Sequence, residues 1–394
     1  MCQDECKDVV DILTLADYDW DVADHPGKFL RELLDAKGWT QDELAAVTGY
    51  SRQTINGLAA GKSRVTPEMA VTLAAAFGNT ADQWLRWDVE HQLGLLDSDR
   101  PNTVERRARM YDVAPIHDMQ RRGWIRETST VEELEAELSR FFGGDVSSGI
   151  SFPVATHRSD SLSGLSIAEK AWCFRARQLA RAVHVAEFSA DRMPAALKKL
   201  RQLAAFPKEV RRLPEMLAYY GIRFVIVEPI PNAKIDGAAF WVDDNPVIAV
   251  SVRWDRIDAF WFVVFHEFFH IKNNDVFSVD VNLVREEEKG LITVSVASDD
   301  AERTANEQAA DALVPKSELE SFIQRLSPLF SATKIIQFAN RVQMHPGVIV
   351  GQLQHRRQIG YSSHRDFLVK VRGVVTETAL TDGWGHRVQA GFTA

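Results

Sequence analysis

Phe260-Trp261-Phe262-Val263-Val264-Phe265-His266-Glu267-Phe268-Phe269-His270 sets two imidazoles and a carboxylate into a run that is otherwise aromatic and aliphatic. The apolar positions between Ile257 and Ile271 form no single stripe and outlast a strand, so the pattern predicts a buried helix over about 256–272. The run is too short to span a bilayer and carries His266, Glu267 and His270. On a helix, residues four apart lie on one face, which lets His266 and His270 share a metal. Glu267 stands beside them, able to take a proton from an attacking water as general base and then return it as acid. A plain buried helix with two hydrogen-bonded histidines is the competing reading. Two imidazoles and a carboxylate in such apolar surroundings are costly without a partner, and a metal supplies one.

A catalytic zinc usually has three protein ligands and one open position. Downstream candidates for the third are Asp275, the run Glu286-Glu287-Glu288, Glu302, Glu307 and Asp311. The glutamate triplet reads most simply as a solvated loop. A second helix is expected over about 299–313. In it, Glu302 either forms a capping box with Asp299 or offers a ligand, with Asn306 one turn on as an amide that orients a metal-bound histidine. Spacing alone leaves both open. Strand signals precede the long helix at about 222–227, 237–242 and 246–252.

Further outward the pattern is helical. From His25 to Leu93 apolar residues recur every three or four positions, with almost no strand signal. Within it, Gln41 to Thr48 reads as a helix, Gly49-Tyr50 as a turn and Ser51 as the cap of a second helix over about 52–60. Arg52, Gln53, Thr54 and Asn56 fall on the outer face of that helix, with side chains suited to phosphates and base edges in a major groove. Gln41 and Ser51 flank them, and Lys62 and Arg64 add a local positive charge of the kind phosphate neutralisation needs. A helical hairpin that merely packs would lack this combination of turn, cap and basic cluster.

The whole chain has 394 residues, enough for two or three domains, with 45% hydrophobic and 26% charged residues, a globular balance. Its net charge of −9 argues against a protein that coats nucleic acid but not against a local basic surface. Three cysteines, Cys2, Cys6 and Cys173, exclude a disulfide scaffold and fit a reducing cytoplasm. The acidic stretch 1–24 lacks the apolar core of a signal peptide. The expected organisation is an acidic extension over 1–24, an all-α helix-turn-helix domain over 25–93, a helical connector over 94–190 with a Gly/Ser-rich loop from Gly143 to Ser166, an α+β core over 191–318, and a helical C-terminal region over 319–394. The fold class is mainly α, α+β overall, with no membrane segment. Basic stretches at 106–109, 120–122 and 175–177 read as solvated helix faces.

Two resemblances sharpen these expectations. His25-Pro26-Gly27, Thr40-Gln41-Asp42-Glu43-Leu44-Ala45, Ser51-Arg52-Gln53-Thr54-Ile55, Gly61-Lys62, Thr66-Pro67-Glu68-Met69-Ala70 and Trp84-Leu85 make the first domain resemble the HigA-like branch of the Xre helix-turn-helix family. That resemblance implies a dimer on a palindromic double-stranded operator. The second lies around the long helix. His266 to His270, Glu302-Arg303-Thr304-Ala305-Asn306, Ala309-Ala310 and Leu313-Val314-Pro315 resemble the ImmA/IrrE metallopeptidases, as do Asn245-Pro246-Val247-Ile248-Ala249, Asp258 to Phe262 and Met344 to Gly351. It implies a zincin-like, gluzincin-type core with one zinc per chain held by His266, His270 and Glu302. It also implies an endopeptidase acting on a protein such as a repressor, antitoxin or toxin partner. The chain departs from that family's pattern at Phe269, Thr304 and Gln308, none of them an expected ligand. An oxyanion stabiliser is needed too; His345 is a candidate for that or for substrate contact, against a helix-cap role. The rival expectation is a non-enzymatic repressor or antitoxin whose peptidase-like domain senses a small ligand or binds a toxin.

Overall fold

The computed structural model describes residues 24–96, 99–146, 164–275, 277–281, 284–287, 291–294 and 300–384. The expected acidic extension up to residue 23, the middle of the Gly/Ser-rich loop, Cys2, Cys6 and Asp299 lie outside the described residues. The chain divides into two units, Met1–Glu105 and Arg106–Ala394.

The first unit is all helical: α1 (Pro26–Lys37), α2 (Gln41–Thr48), α3 (Arg52–Ala59), α4 (Pro67–Phe77) and α5 (Ala81–Gly94). Each start carries its own chemistry. Thr40 and Thr80 form capping boxes with Glu43 and Gln83, and Ser51 and Thr66 accept the N–H groups of Thr54 and Met69. The buried faces meet on Leu30, Leu44, Ile55, Leu58, Phe77 and Trp84, with Phe29 edge-on to Trp87 at 4.2 Å. Asp88, 2% exposed, accepts from Arg64 Nε and Nη2 at 2.9 and 2.8 Å and from the Val65 N–H at 3.1 Å, tying the loop after α3 to α5.

After α6 (Asp99–Val113), the second unit runs through α7 (Ile116–Arg121), α8 (Val131–Phe142), α9 (Ile167–Arg181), α10 (Met193–Ala204) and α11 (Leu213–Tyr219). Strands β1 (Arg223–Val227), β2 (Ile235–Val242) and β3 (Asn245–Val250) follow, then α12 (Ile257–Lys272), β4 (Phe277–Val281), β5 (Val284–Glu287), β6 (Leu291–Val294) and α13 (Asp300–Leu313). The chain closes with α14 (Lys316–Leu326), α15 (Ala332–Val342), α16 (Pro346–His355), α17 (Arg372–Val375) and β7 (Leu380–Asp382). A mixed sheet in the order β4-β2-β3-β1-β7 is the centre; β1 is parallel to both β3 and β7, and β2 is antiparallel to β3 and β4. β5 and β6 pair as a separate antiparallel ribbon, so Glu286 and Glu287 stand in a strand rather than the expected loop.

Both faces of the sheet are covered. Phe224 and Ile226 of β1 and Ile248 of β3 face one core, shared with α12; Val225, Val227 and Val247 face the other, shared with α8 and α9. The unbroken apolar runs of these strands follow from that double burial. Residues 106–146 and 164–181, expected as a connector, therefore form one layer of the second unit: Trp172 is fully buried and donates from Nε1 to the Val227 carbonyl at 2.9 Å. The C-terminal region is likewise not wholly helical, since β7 adds an edge to the sheet. Asp382 of β7 is 6% exposed and accepts from Trp124 Nε1 at 2.8 Å, from Arg122 and from Arg175. Asp382→Ala would leave Arg175 without this carboxylate and Arg122 dependent on Glu228 at 3.0 Å; we expect a loss of about 3–5 kcal/mol, read as a lower urea midpoint of the second unit.

One sequence device appears in both units. In His25-Pro26-Gly27 and His345-Pro346-Gly347 the histidine is the helix cap, and its Nδ1 accepts the glycine N–H at 2.9 and 3.0 Å. Proline opens the helix, and the glycine lets it press on a carbonyl of Leu58 or Phe367, where any β-carbon would collide. Burial holds both histidines below the usual range, helped at His25 by the nearby His91. The neutral ring is the acceptor, whereas an unfolded histidine protonates near pH 6.5. The caps are therefore at full strength above about pH 6.5 and are lost as pH falls through the lowered folded values. His345→Asn keeps an acceptor and removes the titration. It should reduce the drop in Tm between pH 7.5 and 5, each cap being worth about 1 kcal/mol.

Candidate functional site

In the second unit His266, Glu267 and His270 are fully buried on α12, and α13 crosses that helix so that Glu302 meets them. His266 Nε2 lies 2.8 Å from His270 Nε2 and 3.2 Å from Glu302 Oε2, and His270 Nε2 lies 3.4 Å from Glu302 Oε1. One ligand atom from each of the three residues lies within 4.8 Å of the others. Ligands about 2.0–2.1 Å from a tetrahedral ion stand at such separations from one another. The outer nitrogen of His270, Nδ1, is 2.8 Å from Asp275 Oδ2. A carboxylate there accepts, so Nδ1 holds the proton and Nε2 turns a lone pair toward the second imidazole and Glu302. Imidazole nitrogens and a carboxylate converge there, so His266, His270 and Glu302 are the residues that could hold a metal ion.

Glu267 sits on the neighbouring face, beneath β2, and the space for it is made by one residue. A β-carbon at Gly237 would run into Glu267 Oε1 and Val263. Gly237 also stands at a register irregularity of β2 against β4. Nothing in the sequence pattern singles out this glycine, because the approach that requires it comes from a helix thirty residues on in the chain.

Asp275 and Asn306 differ from expectation. Asp275, weighed as a third ligand, lies in the turn after α12, where its backbone N–H donates to the His270 carbonyl at 2.9 Å, and its side chain orients His270 instead. Asn306 does not take that role. The Gln308 flank of α13 faces the end of α12, where Asn273 Nδ2 donates to Gln308 Oε1 at 3.0 Å; the opposite flank, with Asn306, faces Phe262 earlier on α12. A helix crossing cannot be read from the spacing within either helix. His345 is the cap described above. Its Nδ1 is committed to Gly347, so the cap role accounts for the residue.

In the first unit, α2, the turn at Gly49 (φ 74°) and α3 stand as the spacing predicts. Arg52, Gln53 and Asn56 are exposed on α3, and Lys62 is exposed after it. Arg52 lies 3.2 Å from Asp42, a solvated pair that costs little to exchange for a phosphate. Ser51 Oγ and Thr54 Oγ1 are 2.8 Å apart, and Asn56 Nδ2 donates to Gln41 Oε1 at 3.1 Å, which fixes the two helices' polar faces to each other. Arg64 is the exception: its guanidinium is engaged by Asp88, so its main work is to hold the loop.

This arrangement is that of a DNA-binding helix-turn-helix. The helix-turn-helix family model matches residues 30–84. The uncharacterized HTH-type transcriptional regulator YddM of Escherichia coli (strain K12) is 29% identical over 91 residues, 23% of this chain and 95% of that protein. Antitoxin HigA-1 of Vibrio cholerae is 37% identical over 73 residues, 18% of this chain and 67% of its own length. A solved Pseudomonas aeruginosa protein in complex with its operator DNA is 28% identical over 18% of this chain and 76% of that one, with a TM-score of 0.18. Through its first unit the chain belongs to the helix-turn-helix family of transcription regulators and antitoxins. Among the described residues no helix is long and apolar enough to cross a membrane.

On a duplex selected from random DNA, Gln53→Ala should cost about 1–3 kcal/mol of binding and relax the sequence preference. Lys62→Ala should weaken all duplexes alike and lower the salt slope by about 1. Fluorescence anisotropy over a salt series separates the two; equal losses on every sequence for Gln53→Ala would move base reading elsewhere.

Proposed function

We propose that the chain is an antitoxin-like transcription regulator carrying a zinc-dependent endopeptidase that cleaves a regulatory protein, such as a repressor or antitoxin, or this chain itself. The observation that carries the reading is the convergence of His266, His270 and Glu302 beside the buried carboxylate of Glu267. The sheet with α12 packed across it, and α13 supplying the glutamate, is consistent with a gluzincin-type core.

His266, His270 and Glu302 would hold the zinc, which when bound supplies Lewis-acid polarisation of a peptide carbonyl and of water. The protein's own part is placement. Asp275 keeps His270 in the tautomer with Nε2 free of its proton. Glu267 takes the proton of the attacking water and passes it to the leaving amine. Its complete burial shields that transfer from bulk solvent. Operator DNA is the partner of the first unit, with a dimer reading two half-sites.

Elemental analysis of wild type beside Glu302→Ala tests the ligand set: about one zinc per chain is expected in wild type, with much less in the variant. Glu267→Gln should keep the metal while lowering cleavage of a protein substrate by at least about 100-fold, the usual worth of a general base. Metal-free wild type after zinc loading would overturn the reading and favour a non-enzymatic, ligand-sensing repressor.

A further inference from the structure

Beside the metal group lies a cavity of about 410 Å³ between α12, α13 and α16. Phe262 and Ala310 form its walls with Val348, and Lys316 and Arg356 stand at its mouth. It adjoins the metal group on two helices at once. Phe262 is one turn before His266, with ring centroids 6.2 Å apart, and Asn306, also lining the cavity, is one turn after Glu302. One helical turn is about 5.4 Å, and one extended residue spans about 3.3 Å. A side chain next to a carbonyl at the metal group therefore reaches this space, while one several residues away overshoots it. Asn306 Oδ1 itself is closed to solvent, so it is the rest of that side chain that lines the space. Charge at the mouth favours an acid. Lys316 and Arg356 stand against Glu307, whereas Asp258 is offset by Arg256 at 2.7 Å, and Arg356 is held only loosely, 3.9 Å from Glu320.

We propose that this cavity is the specificity pocket of the site: it takes a leucine- or phenylalanine-sized side chain from the substrate residue adjoining the cleaved bond, with a carboxylate of the following residue at Lys316 and Arg356. The proposal rests on the peptidase reading above. The apolar walls make the pocket blind to small residues.

The test uses the full-length protein loaded with zinc and three hydroxamate probes, glycyl, leucyl and leucyl-glutamyl, with affinities from calorimetry. The leucyl probe should bind about tenfold or more tighter than the glycyl one, the gain that burying one such side chain brings. The leucyl-glutamyl probe should be tighter again, with the second gain lost in Arg356→Glu. Ala310→Phe fills the cavity and should level the leucyl and glycyl affinities while zinc uptake persists. Val348→Ala enlarges it and should shift preference toward a phenylalanyl probe; zinc uptake reports that each variant is folded. Zinc uptake with equal affinity for all probes, or a leucyl preference that survives Ala310→Phe, overturns the pocket alone. An additional gain from glutamate that survives Arg356→Glu overturns the assignment of the mouth. Failure to take up zinc overturns the peptidase reading, and the pocket's role with it.

Discussion

Two imidazoles and a carboxylate with no exposure to water, on a helix that is aromatic and aliphatic from Ala259 to Phe265, impose the constraint around which the second unit is built. Desolvating such groups is affordable only when each finds a partner of the right polarity. Asp275 answers His270 from the turn that ends the same helix, and Glu302 answers both rings from a helix that crosses it. Gly237 gives up a side chain so that the sheet can lie on the carboxylate of Glu267. Replace the three polar residues by apolar ones, and none of these features has a reason to be where it is.

The first unit solves a different problem with weaker forces. Its core is small, so its helices depend on threonine and serine caps and on the Asp88 clamp, and its recognition surface is left polar and solvated. That division of labour explains why Arg64 and Arg52, both arginines close to the same turn, behave differently. Arg64 closes a ring of hydrogen bonds onto a buried acid, whereas Arg52 has only an exposed neighbour to leave.

Much of this was legible in sequence because it is local. Caps, the turn between α2 and α3, the long apolar helix and the three strands before or beside it are all set by residues within a few positions of one another. The i, i+4 spacing of His266 and His270 was enough to put both on one face. What escaped was non-local. The second coat on the sheet reads from its own sequence as a connector, although the unalternating apolar run Phe224 to Val227 asks for burial on both faces. Asp275 orients His270 through the turn that follows α12, and the place of Asn306 depends on how α13 crosses α12. β7 is three residues long, too short for a periodic signal, and owes its place to Asp382 and the arginines that seek it.

The edge strand has a further consequence, for the order of events on the ribosome. Arg122 and Asp382, joined across the sheet, are 260 positions apart in the chain. Helices laid down early in the second unit thus wait for this strand before Arg122 and Arg175 can bond to Asp382, while the first unit has a core of its own. Domains fold as units, the N-terminal one first, as the chain emerges. A nascent chain therefore has a folded DNA-reading unit well before it has a completed second one.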